Sequence, residues 1–221
     1  MTAGIVPSEL RTTVRLAARE VREAAFRALL AAGASGGEGA AAAEAVLWAE
    51  AADGSGVASL LEELARVRVK NSPVHLERTS ALAVLSDGGG RGPMLLGPLA
   101  ADLAVAIGQP VFSPGTTSIA VMEAVARTAA MVSGSALAVL ADGSRSLAVP
   151  DGRVFRAADP TPFPAPDGMP GVILFKSPGT PEDGVELGGL AEAAMANGLR
   201  VAAEPWAVVY AASRRFLVPE S

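Results

Sequence analysis

The sequence predicts an α/β fold: N-terminal helices, then a β-α-β-α-β sheet core with helices packed on the sheet, then a C-terminal helical segment. Three observations predict it. The first third of the chain carries apolar residues at helical spacing. From Val74 onward, short apolar runs of strand length alternate with helix-length segments, the order of a crossover core. Half of the 221 residues are hydrophobic, ample for one buried core. A single domain over 1–221 is expected, with at most a minor division into a helical part, 1–70, and a sheet-containing part, 71–221.

The elements follow in order. Ser8 is placed to cap a first helix, with Leu10, Val14, Ala17, Val21, Ala24 and Ala25 on one face and Arg11, Arg15, Arg19 and Arg22 on the other, reaching about Ala32. Glycines at 33, 36 and 37 break it. A second helix is expected from about Gly39 to Ala52. Asp53-Gly54-Ser55-Gly56 then turns into a third, through Leu60, Leu61, Leu64 and Val67. Two strands follow, at Val74–Arg78 and Ala81–Leu85. The glycine-rich Asp87–Gly92 leads into a helix from about Pro98 to Ile107, with Pro98 suited to its first position. Val111-Phe112 reads as a strand, 118–133 as a helix and 136–140 as a buried strand. Pro150-Asp151-Gly152 makes a hairpin turn between 147–149 and 153–155. The proline-rich stretch 159–170 reads as a surface loop and Val172–Phe175 as a strand. A helix at 186–197 stops at Asn197-Gly198, and a last helix covers Pro205 to Arg215.

Composition removes several function classes. Net charge is -5, against a nucleic-acid groove. Cysteine is absent and His75 is the only histidine, so thiolate nucleophiles, disulfides and multi-histidine metal sites within the chain are excluded. All but Lys70 and Lys176 of the 18 basic residues are arginine, a usage that fits a GC-rich bacterial genome. No leader and no membrane span is read from the sequence, so the expected location is the cytoplasm.

Few residues carry chemistry. Gly88, Gly89, Gly90 and Arg91 lie between a strand and a helix, where backbone N–H groups can cradle an anion and Arg91 can pair with it; the alternative is a tight turn. Asp53, Ser55 and Ser59 gather at a helix start, and Thr116, Thr117 and Ser118 at another, where hydroxyls either cap the helix or bind an anion. His75 lies in a strand without an evident partner. Glu62 and Glu63 read as solvated, and Trp48 and Trp206 as packing anchors.

The order of these motifs resembles the type-2 malate/L-lactate dehydrogenase superfamily, which includes imine reductases and sulfolactate dehydrogenases. That family carries Asp-Ser-His-Gly-Val-x-Arg-Leu after two helices; here the segment is Asp53-Gly54-Ser55-Gly56-Val57-Ala58-Ser59-Leu60. A glycine-rich stretch entering a helix corresponds to Asp87–Gly92. The family's Asn-His-Phe-Gly segment is replaced by Gly115-Thr116-Thr117-Ser118. The resemblance implies that the proton-donating histidine falls on Ser55, the carboxylate-binding arginine on Ser59 and a second histidine on Thr116. A serine hydroxyl is far too weak an acid to replace histidine near neutral pH. No counterpart of the family's C-terminal cofactor-binding half is evident, and the chain is shorter than those enzymes.

The favoured reading is a shortened, non-catalytic or diverged relative of nicotinamide-dependent 2-oxo-acid or imine reductases. It would act as an accessory or regulatory subunit, in a homodimer or hetero-complex, or bind a small anionic ligand. The alternative is an oxidoreductase using NADH or NADPH, with Asp53 or His75 as the proton donor. A third reading makes Ser55 the nucleophile of a hydrolase or transferase, but no activating base is evident beside it.

Overall fold

The chain leaves the expected helical course at its first described residues. In a computed structural model, which describes residues 12–67, 73–88, 90–141, 143–158, 169–178 and 184–216, Thr13–Leu16 form a strand, β1. Helix α1 covers only Ala18–Ala31. Ser8, the expected cap, lies outside the described residues. The boundary is set locally: the Ala17 N–H donates to the Glu20 carboxylate at 2.8 Å. Val14 and Leu16 satisfy strand and helix spacing alike, and the partner strand decides between them. That partner is β10, Leu199–Ala202, antiparallel with Thr13 opposite Ala202 and Leu16 opposite Leu199.

Helix α2, Gly36–Asp53, starts earlier than expected because Ser35 and Glu38 form a capping box. Its alanine-rich surface is buried on several sides, including Ala42, Ala43, Val46 and Ala49, so it serves as the hub of the helical layer. Helix α3, Gly56–Arg66, crosses it closely. A Cβ at Gly56 would stand 2.1 Å from the Val46 carbonyl oxygen, so only glycine permits the approach. Helix α7, Ala203–Arg215, packs on α1 and α3, bringing the last described helix back to the first.

The sheet runs β2-β3-β4-β8-β5-β6-β7-β9. Its strands are β2 Val74–Arg78, β3 Ala83–Asp87, β4 Val111–Pro114, β5 Leu137–Ala141, β6 Ser144–Ala148, β7 Val154–Ala158, β8 Gly171–Lys176 and β9 Val185–Glu186. Helices α4, Pro93–Ile107, and α5, Ile119–Ser133, make the two crossovers, from β3 to β4 and from β4 to β5. The expected β-α-β-α-β order is present. Strand β8 is inserted between β4 and β5, antiparallel to both. Pro93, not Pro98, occupies the first turn of α4, and Pro98 lies inside the helix. Strands β9 and β10 were not expected; both are too short for a periodic signal. Helix α6, Gly188–Asn197, precedes β10.

Helices α4 and α5 pack on the sheet, and α2 packs on both. Val111, Leu137, Val139, Val172 and Leu174 face these helices in one core cluster that runs from Val21 to Val209. The crossover order puts the C-terminal ends of β3 and β4 at one edge of the layer. The 88–92 turn and the 115–118 turn both emerge there, beside the start of α3. In open α/β sheets this is the crevice where ligands bind.

Candidate functional site

Three of the positions singled out by the family resemblance meet at this edge. Ser55 precedes α3, Ser59 lies one turn into it, and Thr116 leads into α5. Ser55 Oγ stands 2.7 Å from Ser118 Oγ and also contacts the Asp53 carboxylate. Ser59, buried, accepts from the Ser118 N–H at 3.4 Å. Ser118 caps α5 by accepting from the Val121 N–H at 3.3 Å. Thr116 holds Arg66, whose guanidinium donates to the Thr116 carbonyl at 2.8 Å and to its hydroxyl at 3.3 Å. Thr117 is buried, and its hydroxyl has no partner among the described residues; the same holds for Ser113 Oγ.

Buried carboxylates anchor this cluster from below. Glu123, on α5, is fully buried. It receives two hydrogen bonds from Arg156 of β7, both 2.7 Å, and a third from Ser146. Arg156 also reaches Asp53 at 3.0 Å. The bidentate Glu123 contact raises the Arg156 pKa above its already high ordinary value, so its charge is permanent. Glu63, expected to be solvated, is instead fully buried on the inner face of α3. It accepts from the Gly92 N–H at 2.7 Å and from Arg66 at 3.2 Å. Burial pushes its carboxyl pKa up, and the Gly92 hydrogen bond only partly opposes that. Glu50 of α2, also pushed up by burial, accepts from the Val57 N–H at 2.9 Å and so caps α3.

The glycine-rich turn has a structural explanation at two positions. A Cβ at Gly90, whose φ is +79°, would lie 2.7 Å from the Arg66 carbonyl oxygen; one at Gly92 would lie 2.4 Å from Glu63 Oε2. The turn is thus pressed onto the end of α3. Gly88 is exposed, and Gly89 lies outside the described residues. Arg91, the expected anion contact, is mostly buried, 2.7 Å from Asp87 and 3.3 Å from Glu38.

Each helix start at this edge therefore has an internal acceptor: Glu50 at α3, Glu63 at α4 and Ser118 at α5. Each nearby arginine, Arg66, Arg91 and Arg156, has a carboxylate beside it. An incoming anion would have to displace one of these. His75 is exposed on the edge strand β2, opposite Ser86, and enters none of these contacts. No group of three or more His, Cys, Asp or Glu residues suited to a metal ion occurs among the described residues. No described helix is long and apolar enough to cross a membrane.

Sequence reasoning missed Glu50, Glu63, Glu123 and Arg156. Two left a signal. Glu63 continues the Gly56, Ser59, Leu60 stripe that faces inward, and Glu123 is the lone charge in the apolar Ala120–Ala126 segment.

Several dehydrogenases of known structure share this fold. A dehydrogenase from Sinorhizobium meliloti superposes with a TM-score of 0.60 at 13% identity, over 91% of this chain and 100% of its own. The malate dehydrogenase of Pyrococcus horikoshii OT3 gives 0.52 at 15%, over 67% of this chain and 51% of its own. The sulfolactate dehydrogenase of Methanocaldococcus jannaschii gives 0.50 at 12%, over 90% and 67%. The chain thus spans about half the length of the Pyrococcus enzyme. A mixed α/β, dehydrogenase-like fold is established by these likenesses. No protein-family model matches the sequence, and no curated protein is similar to it at sequence level.

Proposed function

We propose that this chain is a non-catalytic, functionally diverged relative of the nicotinamide-dependent 2-oxo-acid and imine reductases, acting through binding as an accessory or regulatory subunit. One observation carries the reading: in the crevice where those enzymes are expected to work, the residues at the reactive positions are engaged by their own neighbours. Ser55, Ser59 and Thr116 stand where the resemblance implies two histidines and an arginine. Ser55 and Ser59 both engage Ser118, and Thr116 engages Arg66. General acid catalysis contributes about 10²–10⁴-fold and needs a group that titrates near the working pH. His75, the chain's one histidine, is exposed on β2 and takes no part in the cluster.

The experiment is calorimetric titration of the purified protein with NADH and with NADPH, with its mass in solution measured alongside. The expected result is no saturable binding tighter than about 1 mM and a stable dimer or larger assembly. Introducing the missing acid alone, by Ser55→His, is expected to leave oxo-acid reduction undetectable. Micromolar binding of either nucleotide, with turnover of any oxo acid or imine, would overturn the proposal in favour of a reductase with Asp53 as proton donor.

A further inference from the structure

A second concave site lies on the helical layer, away from the crevice. A cleft of about 460 Å³ opens between α2, α4 and α5, with Met195 of α6 at its side. None of Asp53, Ser55, Ser59, Thr116, Thr117 or Ser118 lines it. Its volume falls in the range of small-molecule sites, about 300–1,000 Å³.

Two features mark this cleft as more than a packing gap. Arg127 lines it, with its guanidinium 4.9 Å over the Trp48 ring and its Nε donating to the Gly152 carbonyl at 2.8 Å. These contacts hold the guanidinium in place, yet no carboxylate pairs with it among the described residues. Arg66, Arg91 and Arg156 each have one. Independently, Trp48 also lines the cleft, is only 5% exposed, and its indole N–H has no hydrogen-bond acceptor among the described residues. The same place thus holds a positioned cation without a counter-ion and a buried donor without an acceptor.

We infer that this cleft binds a small monocarboxylate with an apolar body. One oxyanion meets the need of Arg127, beside the Trp48 ring. The apolar body is accommodated by Val132, which is 85% exposed, and by the half-buried Met195. Asp102 and Glu44 also line the cleft; Glu44 is engaged by Arg22 at 3.2 Å, and Asp102 is exposed. Their negative charge selects against phosphate and other multiply charged anions, because like charges penalise the second charge more than the first. The cleft is independent of the nucleotide question, so either can fail without the other.

Trp48 provides the readout. Trp206, the chain's other tryptophan, lies on α7 against Tyr210, and Trp206→Phe leaves Trp48 as the only indole. In that background the fluorescence is titrated with 3-phenylpropionate, its uncharged amide and inorganic phosphate. A saturable change with the acid is expected, at about 1 mM or tighter. The amide is expected to bind roughly tenfold more weakly or less, having lost a charge-assisted hydrogen bond, and phosphate not at all in that range. Arg127→Met is expected to weaken the acid to the level of the amide. Asp102→Lys, an exposed change that leaves the packing intact, is expected to tighten it several-fold. The inference is overturned if the acid gives no saturable change, if acid and amide bind equally, if phosphate competes at the same concentration, or if Asp102→Lys leaves the acid's affinity unchanged in a folded protein.

Discussion

Replacing Arg156 by methionine tests whether the charges beneath the crevice hold the fold as described. Glu123 has no solvent exposure, and Arg156 supplies two of its three hydrogen bonds. Removing one partner of a buried ion pair strands the other charge, at a cost of about 3–5 kcal/mol. The Arg156 side chain is 24% exposed, so water entering behind the shorter methionine should hold the loss near the lower end, about 3 kcal/mol. Urea unfolding reads this directly: with a slope of about 2–3 kcal/mol/M for a chain of this size, the midpoint falls by about 1–1.5 M at pH 7. Adding Glu123→Gln to Arg156→Met should recover most of the loss at pH 7. A loss below about 1 kcal/mol, or a double variant no more stable than Arg156→Met alone, would refute the reasoning and make the pair a solvated bridge.

Two further outcomes follow from the packing around α3. Gly56→Ala puts a methyl group 2.1 Å from the Val46 carbonyl oxygen, so α2 and α3 must separate; a loss above about 3 kcal/mol is expected, seen as a fall of roughly 6–12 °C in thermal midpoint. Gly37→Ala, in the same helical layer with open space around it, should be neutral or slightly stabilising, and equal effects of the two would discredit the close-approach argument. Glu63→Gln removes a charge that burial disfavours while keeping an acceptor for the Gly92 N–H. Since the folded pKa of Glu63 is raised, the native protein loses stability as pH rises from the unfolded carboxyl value through the folded one. The glutamine variant should therefore gain on the native protein across that window, measured by denaturant midpoints at several pH values; a variant that loses ground as pH rises would contradict the assignment.

Much of the fold was legible because its signals are local. Ser118 before an apolar helix, Asn197-Gly198 after one and the Pro150–Gly152 turn each state an element boundary in two or three residues. Where the reading failed, the deciding contact was distant. Val14 and Leu16 fit a helix as well as a strand until Leu199–Ala202 lies alongside. Val172–Phe175 reads correctly as a strand, yet nothing in those residues places it between β4 and β5. The site divides in the same way. The motif order brought attention to Ser55, Ser59 and Thr116, and the turns that carry them do converge. Glu63 and Glu123 lie on apolar stripes in a linear reading, but the arginine or amide that makes burial of a carboxylate tolerable is brought from another element.

By itself, then, the sequence determined the α/β class, the crossover core, the absence of cysteine chemistry and the lack of a second histidine, because these depend on composition, periodicity and capping within a few residues. Only the tertiary structure decided that the glycine-rich turn lies against Glu63 and Arg66, that three helix starts are capped from within, and that Arg127 stands over Trp48 without a carboxylate. Hydrogen bonds and ion pairs between elements are set by the three-dimensional path of the backbone, and no spacing along the chain encodes which charge will find a partner.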